Sequence, residues 1–230
     1  RSPLERMWML DTDNDGWANG TGYKTSAENP YINQDAMHSY SVGSDLNHFR
    51  EPDNLTNAYS VATIKHWIEE YKIDGFRWDL TKGFTQNCSG GDDACTNGFQ
   101  ADRIAVLKEY ADYSWSLDTD HYVIFEHLGS DAEEQQWANY RIGEGKGIMM
   151  WGEMYTQYKE LAMGYASQNI SRMSHTSRGF TGKRLIGYPE SHDKDRMMYE
   201  AVTYGNGSGT SPVNGNLTNA LSRMGALGAM

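Results

Sequence analysis

From about residue 56 onward the apolar residues switch period repeatedly, and that switching limits the folds open to the chain more than any other feature. Val61, Ile64, Ile68 and Tyr71 fall three or four positions apart, which predicts a helix over residues 56–71; residues 74–80 then have the length and composition of a strand. The alternation continues with a helix over 101–115 (Ile104, Leu107, Ala111) and a strand over 121–127. A third helix opens at Ser130, with Glu133 three residues on in the pattern of a capping box. A strand over 147–151, a helix over 155–165, a strand over 184–189 and a helix starting near Leu217 complete the series. Strands separated by whole helices run parallel, and a right-handed series of such units closes into a (β/α) barrel or a doubly wound sheet.

The chain ahead of this series reads differently. Residues 11–53 are rich in Asp, Asn, Gly and Tyr with little periodicity, the mark of an irregular excursion carrying polar contacts. The expected division is therefore an irregular region over 1–53 and an α/β region over 54–230. At 230 residues one α/β domain is affordable without a second core. The chain carries 31 Asp and Glu against 20 Lys and Arg, a net charge of -11, with no clustered basic surface to hold phosphate, which argues against a nucleic-acid partner. No apolar run has the length of a membrane span, no signal segment opens the chain, and nothing points to a protein partner. Cys88 and Cys95 flank a Ser-Gly-Gly-Asp-Asp-Ala loop able to bring them together, as a disulfide or as two free thiols.

Three carboxylates stand at or just beyond the ends of different strands: Asp79, Glu126 and Asp193. That is the face on which (β/α)8 barrels build their sites, and no glycine-rich G-x-G-x-x-G or Walker turn supports the nucleotide-binding alternative. Period-two alternation puts Phe76 and Trp78 on one face and Arg77 with Asp79 on the other, where the arginine can keep the carboxylate ionised as a nucleophile. A plain buried ion pair fits the same segment. Glu126 ends an apolar strand, surroundings that favour a protonated carboxyl suited to acid/base work, although a strand-end glutamate can also simply face solvent. His192 and Asp193 pair a donor with an acceptor, useful for gripping sugar hydroxyls and equally consistent with a loop hydrogen bond. Zinc is disfavoured, since there is no H-E-x-x-H and no Cys or His pair at ligand spacing.

Taken in order, these segments resemble the catalytic barrel of the alpha-amylase family of glycoside hydrolases. Gly75-Phe76-Arg77-Trp78-Asp79 resembles the motif around the nucleophile, Phe125-Glu126-His127 the acid/base motif, Ser191-His192-Asp193 the His-Asp motif, and Ser44-Asp45-Leu46-Asn47 the short motif near the end of domain B. The resemblance implies an α/β fold, a partial (β/α)8 TIM barrel of about strands 4 to 7 with a domain B-like N-terminal excursion, cut at both ends. It also implies retaining cleavage of α-1,4-glucosidic bonds in starch-like glucans, with Asp79 as nucleophile, Glu126 as acid/base, and Asp193 as transition-state stabiliser. Arg77, His192, Lys82 and His127 would contact substrate, and no organic cofactor is needed. A branching or other transglycosylating enzyme would use the same residues, and a barrel that only binds carbohydrate would be expected to have lost one of the carboxylates.

The sequence also departs from that pattern. The family's early Asp-x-x-x-Asn-His motif is absent, and Gly83 stands where a histidine usually follows the lysine matched by Lys82. Asp11, Asp13 and Asp15, followed by Gly16, have the alternating oxygens and tight turn of a calcium loop, although Gly22 replaces the closing glutamate of an EF-hand. A calcium site and a plain polar surface turn both fit this loop, and a secreted or periplasmic location is the expected compartment.

Overall fold

The computed structural model describes residues 3–6, 8–12, 23–41, 43–49 and 54–229. They form two compact units, Arg1–Met149 and Met150–Met230. In the first unit a single-turn helix, α1 (Pro3–Arg6), precedes an antiparallel pair, β1 (Met9–Asp11) and β2 (Tyr23–Thr25), with Leu10 opposite Lys24. Asp13, Asp15, Gly16 and Gly22 lie outside the described residues. The next stretch is irregular, as its composition predicts, and is tied by side chains: the Asn29 amide donates to Leu4 O, and Asn33 donates to Asp45 and Gln86. One isolated bridge joins Ile32 and Leu46.

Helix α2 (Leu55–Glu69) starts at Asn54, whose side chain accepts the Asn57 amide at 2.9 Å, a standard N-cap. It buries Ile64 and Ile68, while Tyr71, expected on the same face, is 61% exposed because the helix ends at Glu69 and the chain turns at Lys72 (φ 53). Strand β3 (Gly75–Trp78) pairs in parallel with β4 (Tyr122–Phe125), Gly75 opposite Tyr122 and Trp78 opposite Phe125. Gly75 is required there, since a Cβ would lie 2.6 Å from the Tyr122 Cβ and carbonyl oxygen. Between the strands run a short helix, α3 (Asp93–Asn97), stapled by the Cys88–Cys95 disulfide, and the crossover helix α4 (Ala101–Leu117).

The alternation expected for β3 is observed. Phe76 and Trp78 share one face, and Trp78 stacks on Tyr110 of α4 at 5.4 Å, while Arg77 turns the other way to Asp79. Phe125 packs edge-on against Trp137 of α5 (Asp131–Ala138), and Leu107, Ala111, Phe125 and Trp137 are fully buried. Burial of this kind contributes about 1.5–3 kcal/mol per large apolar side chain.

The second unit begins within β5 (Met149–Glu153), which pairs in parallel with β6 (Leu185–Tyr188), Met150 opposite Leu185. Helices α6 (Tyr155–Ala162), α7 (Met197–Tyr204) and α8 (Leu217–Gly228) enclose Ala162, Met163, Ala201, Val213 and Ala220. Strand β5 lies two residues later than the 147–151 expected, and the short helices α3 and α7 were not signalled by periodicity. Both units show helices alternating with parallel strands, an α/β fold. Among the described residues no helix is long and apolar enough to cross a membrane.

Candidate active site

The ends of β3 and β4 bring three of the expected residues together. Arg77 spans two carboxylates: Nη1 is 2.8 Å from Asp79 Oδ1, and Nη2 is 2.9 Å from Glu126 Oε2. Their parallel register places Trp78 opposite Phe125, so the residues that follow, Asp79 and Glu126, emerge side by side. The two differ in setting, with Glu126 only 13% exposed and Asp79 73% exposed.

Backbone geometry holds Glu126 from one side. Leu80 adopts a left-handed conformation (φ 43), and its N–H donates to Glu126 Oε2 at 3.1 Å. The next amide, Thr81 N–H, donates to Glu126 O at 3.0 Å. Burial pushes the Glu126 carboxyl up from its ordinary pKa, and the adjacent Asp79 adds to this, against the lowering effect of the Leu80 amide and Arg77. A largely buried acid beside an exposed carboxylate is the asymmetry needed for one group to donate a proton while the other attacks.

The other expected residues are placed less uniformly. Lys82 donates to Asn97 Oδ1 at 2.7 Å and lies 5.5 Å from the Tyr40 ring, and burial lowers its pKa. His127 is buried, with Nδ1 3.1 Å from Thr81 Oγ1 and Nε2 3.0 Å from Glu133 Oε2, so it reaches no solvent where a substrate would bind. His192 and Asp193 belong to the second unit, where Nε2 and Oδ2 are 3.3 Å apart on an exposed loop. Of the three aspartates expected to bind calcium, Asp11 ends β1, while Asp13 and Asp15 lie outside the described residues. Among the described residues no group of three or more His, Cys, Asp or Glu could hold a metal ion.

In the irregular segment Asp45 is closely held. Asp45, 4% exposed, accepts from the Met37 amide at 2.8 Å and from Asn33 at 2.9 Å, and faces His38 Nε2 at 3.3 Å. The His38 imidazole lies against Gly83, where a Cβ would be 3.0 Å from the ring. A side chain at position 83 would need the His38 ring to yield by a few tenths of an ångström. A cavity of about 450 Å³ in this unit is lined by His38, Asp45, Tyr59 and Phe76 together with Arg77 and Asp79, a volume suited to a small ligand.

The sequence reading missed Leu80 and Thr81, whose amides hold Glu126, and the buried Arg103–Glu133 pair. Glu133 carried a signal, but for a different role. The Ser130 hydroxyl does accept the Glu133 amide, at 3.4 Å, as in a capping box. The Glu133 carboxylate instead turns inward to Arg103, His127 and the Gln100 amide.

No protein-family model matches the chain, and no curated relative matches it. Among solved structures it is similar to the apo pullulanase of Paenibacillus barengoltzii, at 16% identity over 79% of this chain and 27% of that one, with a TM-score of 0.46. It is also similar to the multi-modular glycogen-degrading pneumococcal virulence factor SpuA in a product complex, at 13% identity over 85% of this chain and 22% of that one, with a TM-score of 0.44. The chain spans about a quarter of the length of these two structures. The chemistry of the site rests on this chain's own residues.

Proposed function

We propose that the chain is part of a retaining α-glucan hydrolase of the alpha-amylase type, a partial (β/α)8 barrel over residues 54–230 preceded by a domain B-like excursion over 1–53. The observation that carries this reading is Arg77 spanning Asp79 and Glu126 at neighbouring strand ends, with Glu126 buried and its carboxyl pushed up. Asp79 attacks the anomeric carbon, expelling the leaving oxygen to which Glu126 gives its proton; Glu126 then takes a proton from water, which releases the sugar from Asp79. Asp193 and His192 hold sugar hydroxyls. His127, buried beneath Glu126, supports the site from behind instead of contacting the glucan.

The expected compartment is outside the cytoplasm, secreted or periplasmic, a reading supported by the Cys88–Cys95 disulfide. The alternating carboxylates of Asp11, Asp13 and Asp15 would supply oxygen ligands for calcium. Calorimetric titration with calcium, repeated on Asp13→Ala, tests it.

The function is tested by following the full-length protein on maltooligosaccharides by proton NMR. The first product formed should be the α-anomer, and Asp79→Asn should lower kcat by about 10⁴-fold or more while glucan binding persists. An initial β-anomer, or turnover retained by Asp79→Asn, would overturn the assignment. Longer products from amylose would point to transglycosylation in place of hydrolysis.

A further inference from the structure

Beneath Glu126 lies a chain of buried polar groups that the proposed reaction does not use directly. Arg103 of α4 and Glu133 of α5 are both fully buried and pair in two places, Nε to Oε1 and Nη2 to Oε2, each at 2.7 Å. The remaining donors of Arg103 go to the carbonyls of Lys82, Thr96 and Gly98. Glu133 Oε2 also faces His127 Nε2 at 3.0 Å. His127 Nδ1 is 3.1 Å from Thr81 Oγ1, and Thr81, with no exposed surface, is the residue whose amide holds the Glu126 carbonyl. Gly129 lies close against the His127 ring, where any Cβ would collide with Nε2.

Counting protons orients this chain. Glu133 is held below the usual carboxylate range by Arg103 and His127 despite its burial, so it only accepts. Burial lowers the pKa of His127, which is therefore neutral at neutral pH with one ring proton. That proton belongs on Nε2, because the other tautomer would aim a lone pair at the carboxylate. Nδ1 is then an acceptor, and the single hydroxyl hydrogen of Thr81 points to it although Glu126 O is also 3.1 Å away. The Thr81 side chain is thus anchored, and with it the Leu80–Thr81 amides that hold Glu126.

We propose that Arg103, Glu133, His127 and Thr81 form a buried positioning chain that fixes the Leu80–Thr81 backbone on Glu126, with His127 locked as its Nε2–H tautomer. The proposal rests on the acid/base reading of Glu126 for its effect on turnover but not for its geometry.

Two measurements test it. In protein labelled with ¹⁵N in the histidine rings, the two-bond proton–nitrogen spectrum should give His127 a protonated Nε2 and an unprotonated Nδ1 at neutral pH; the opposite tautomer would overturn the chain. In the full-length protein, Thr81→Val should lower kcat about ten- to hundredfold with KM little changed, and shift the ¹³C titration of the Glu126 carboxyl to higher pH. Thr81→Ser, which keeps the hydroxyl, should restore both. A merely structural role for Thr81 would leave the Glu126 titration unmoved, and a serine variant as impaired as the valine one would also overturn the proposal. If the wild-type protein cleaves no glucan, the functional reading falls, while the tautomer and the Glu126 titration still decide the positioning chain.

Discussion

Glu126 leaves β4 with 13% of its side chain exposed, held by Arg77, the Leu80 amide and the buried network of Thr81, His127, Glu133 and Arg103. Asp193 follows β6 with 60% exposed, and its partners are its own neighbours in sequence, His192 and Ser191. One strand end is shaped before any ligand arrives, and the other leaves a loop open to be shaped by what it meets. The difference follows from what lies behind each strand. The first unit supplies an arginine and a glutamate from two helices, and the second packs small apolar residues and methionines around α6 to α8.

The contrast is tested most severely by removing the buried anion. Glu133→Ala leaves the Arg103 guanidinium without a counter-charge in a site with no water access, and should destabilise the first unit by about 3–5 kcal/mol. Urea denaturation followed by tryptophan fluorescence would show it. A loss below about 1 kcal/mol would mean that the network is dispensable, and would erase the distinction between the two strand ends.

A second test uses protons. His48 stacks on Phe84 at 4.4 Å and lies 2.8 Å from the Tyr110 hydroxyl, and burial lowers its pKa to about 4, with Asp45 acting weakly the other way. The unfolded chain takes up a proton near pH 6.5 that the folded chain refuses until about pH 4. Stability from this group is therefore complete above pH 6.5, and about 3 kcal/mol is lost as pH falls to 4. His127, also lowered by burial, acts in the same direction. His38, raised by its hydrogen bond to Asp45, opposes them, since its contribution is full below pH 6.5 and lost above. His48→Gln should reduce the proton uptake on acid unfolding by one, and an unchanged slope would show that His48 is already charged in the fold.

The third effect is smaller. Reducing the Cys88–Cys95 disulfide, which closes a loop of sequence separation 7, should cost roughly 2.5 kcal/mol by loop entropy. Because α3 supplies the Thr96 carbonyl to Arg103, reduction should also weaken the Glu126 support, visible as a change in the Glu126 titration. The second unit contains no cysteine and should be indifferent to reductant.

How far the sequence discloses these features depends on the range of each interaction. The period of apolar residues reveals α2, α4, β3 and β4 because each is set by neighbours three or four, or two, positions apart. Arg77 beside Asp79 is legible for the same reason. Arg103 and Glu133 are 30 residues apart and meet only because two helices pack, so local pattern gives Glu133 a capping role and Arg103 none. His127 shows the same gap: adjacency to Glu126 suggests substrate contact, yet strand alternation turns its ring to the opposite, buried side. Tyr71 fails for a third reason, since periodicity cannot see that the helix stops at Glu69.

The smallest effect separates two carboxylates within one loop. Glu190 Oε1 accepts the Met197 amide at 2.6 Å at the start of α7, satisfying a donor that the helix leaves unpaired, so Glu190→Ala should cost about 1 kcal/mol. Asp193 faces solvent and makes no such bond to a helix end, so Asp193→Ala should change stability by less than about 0.5 kcal/mol. A carboxylate that the fold does not use is available for a ligand, and this is the structural ground, beside the motif's resemblance, for proposing Asp193 and not Glu190 for sugar hydroxyls. Equal losses for the two variants in thermal unfolding would make Asp193 a structural residue and remove that ground.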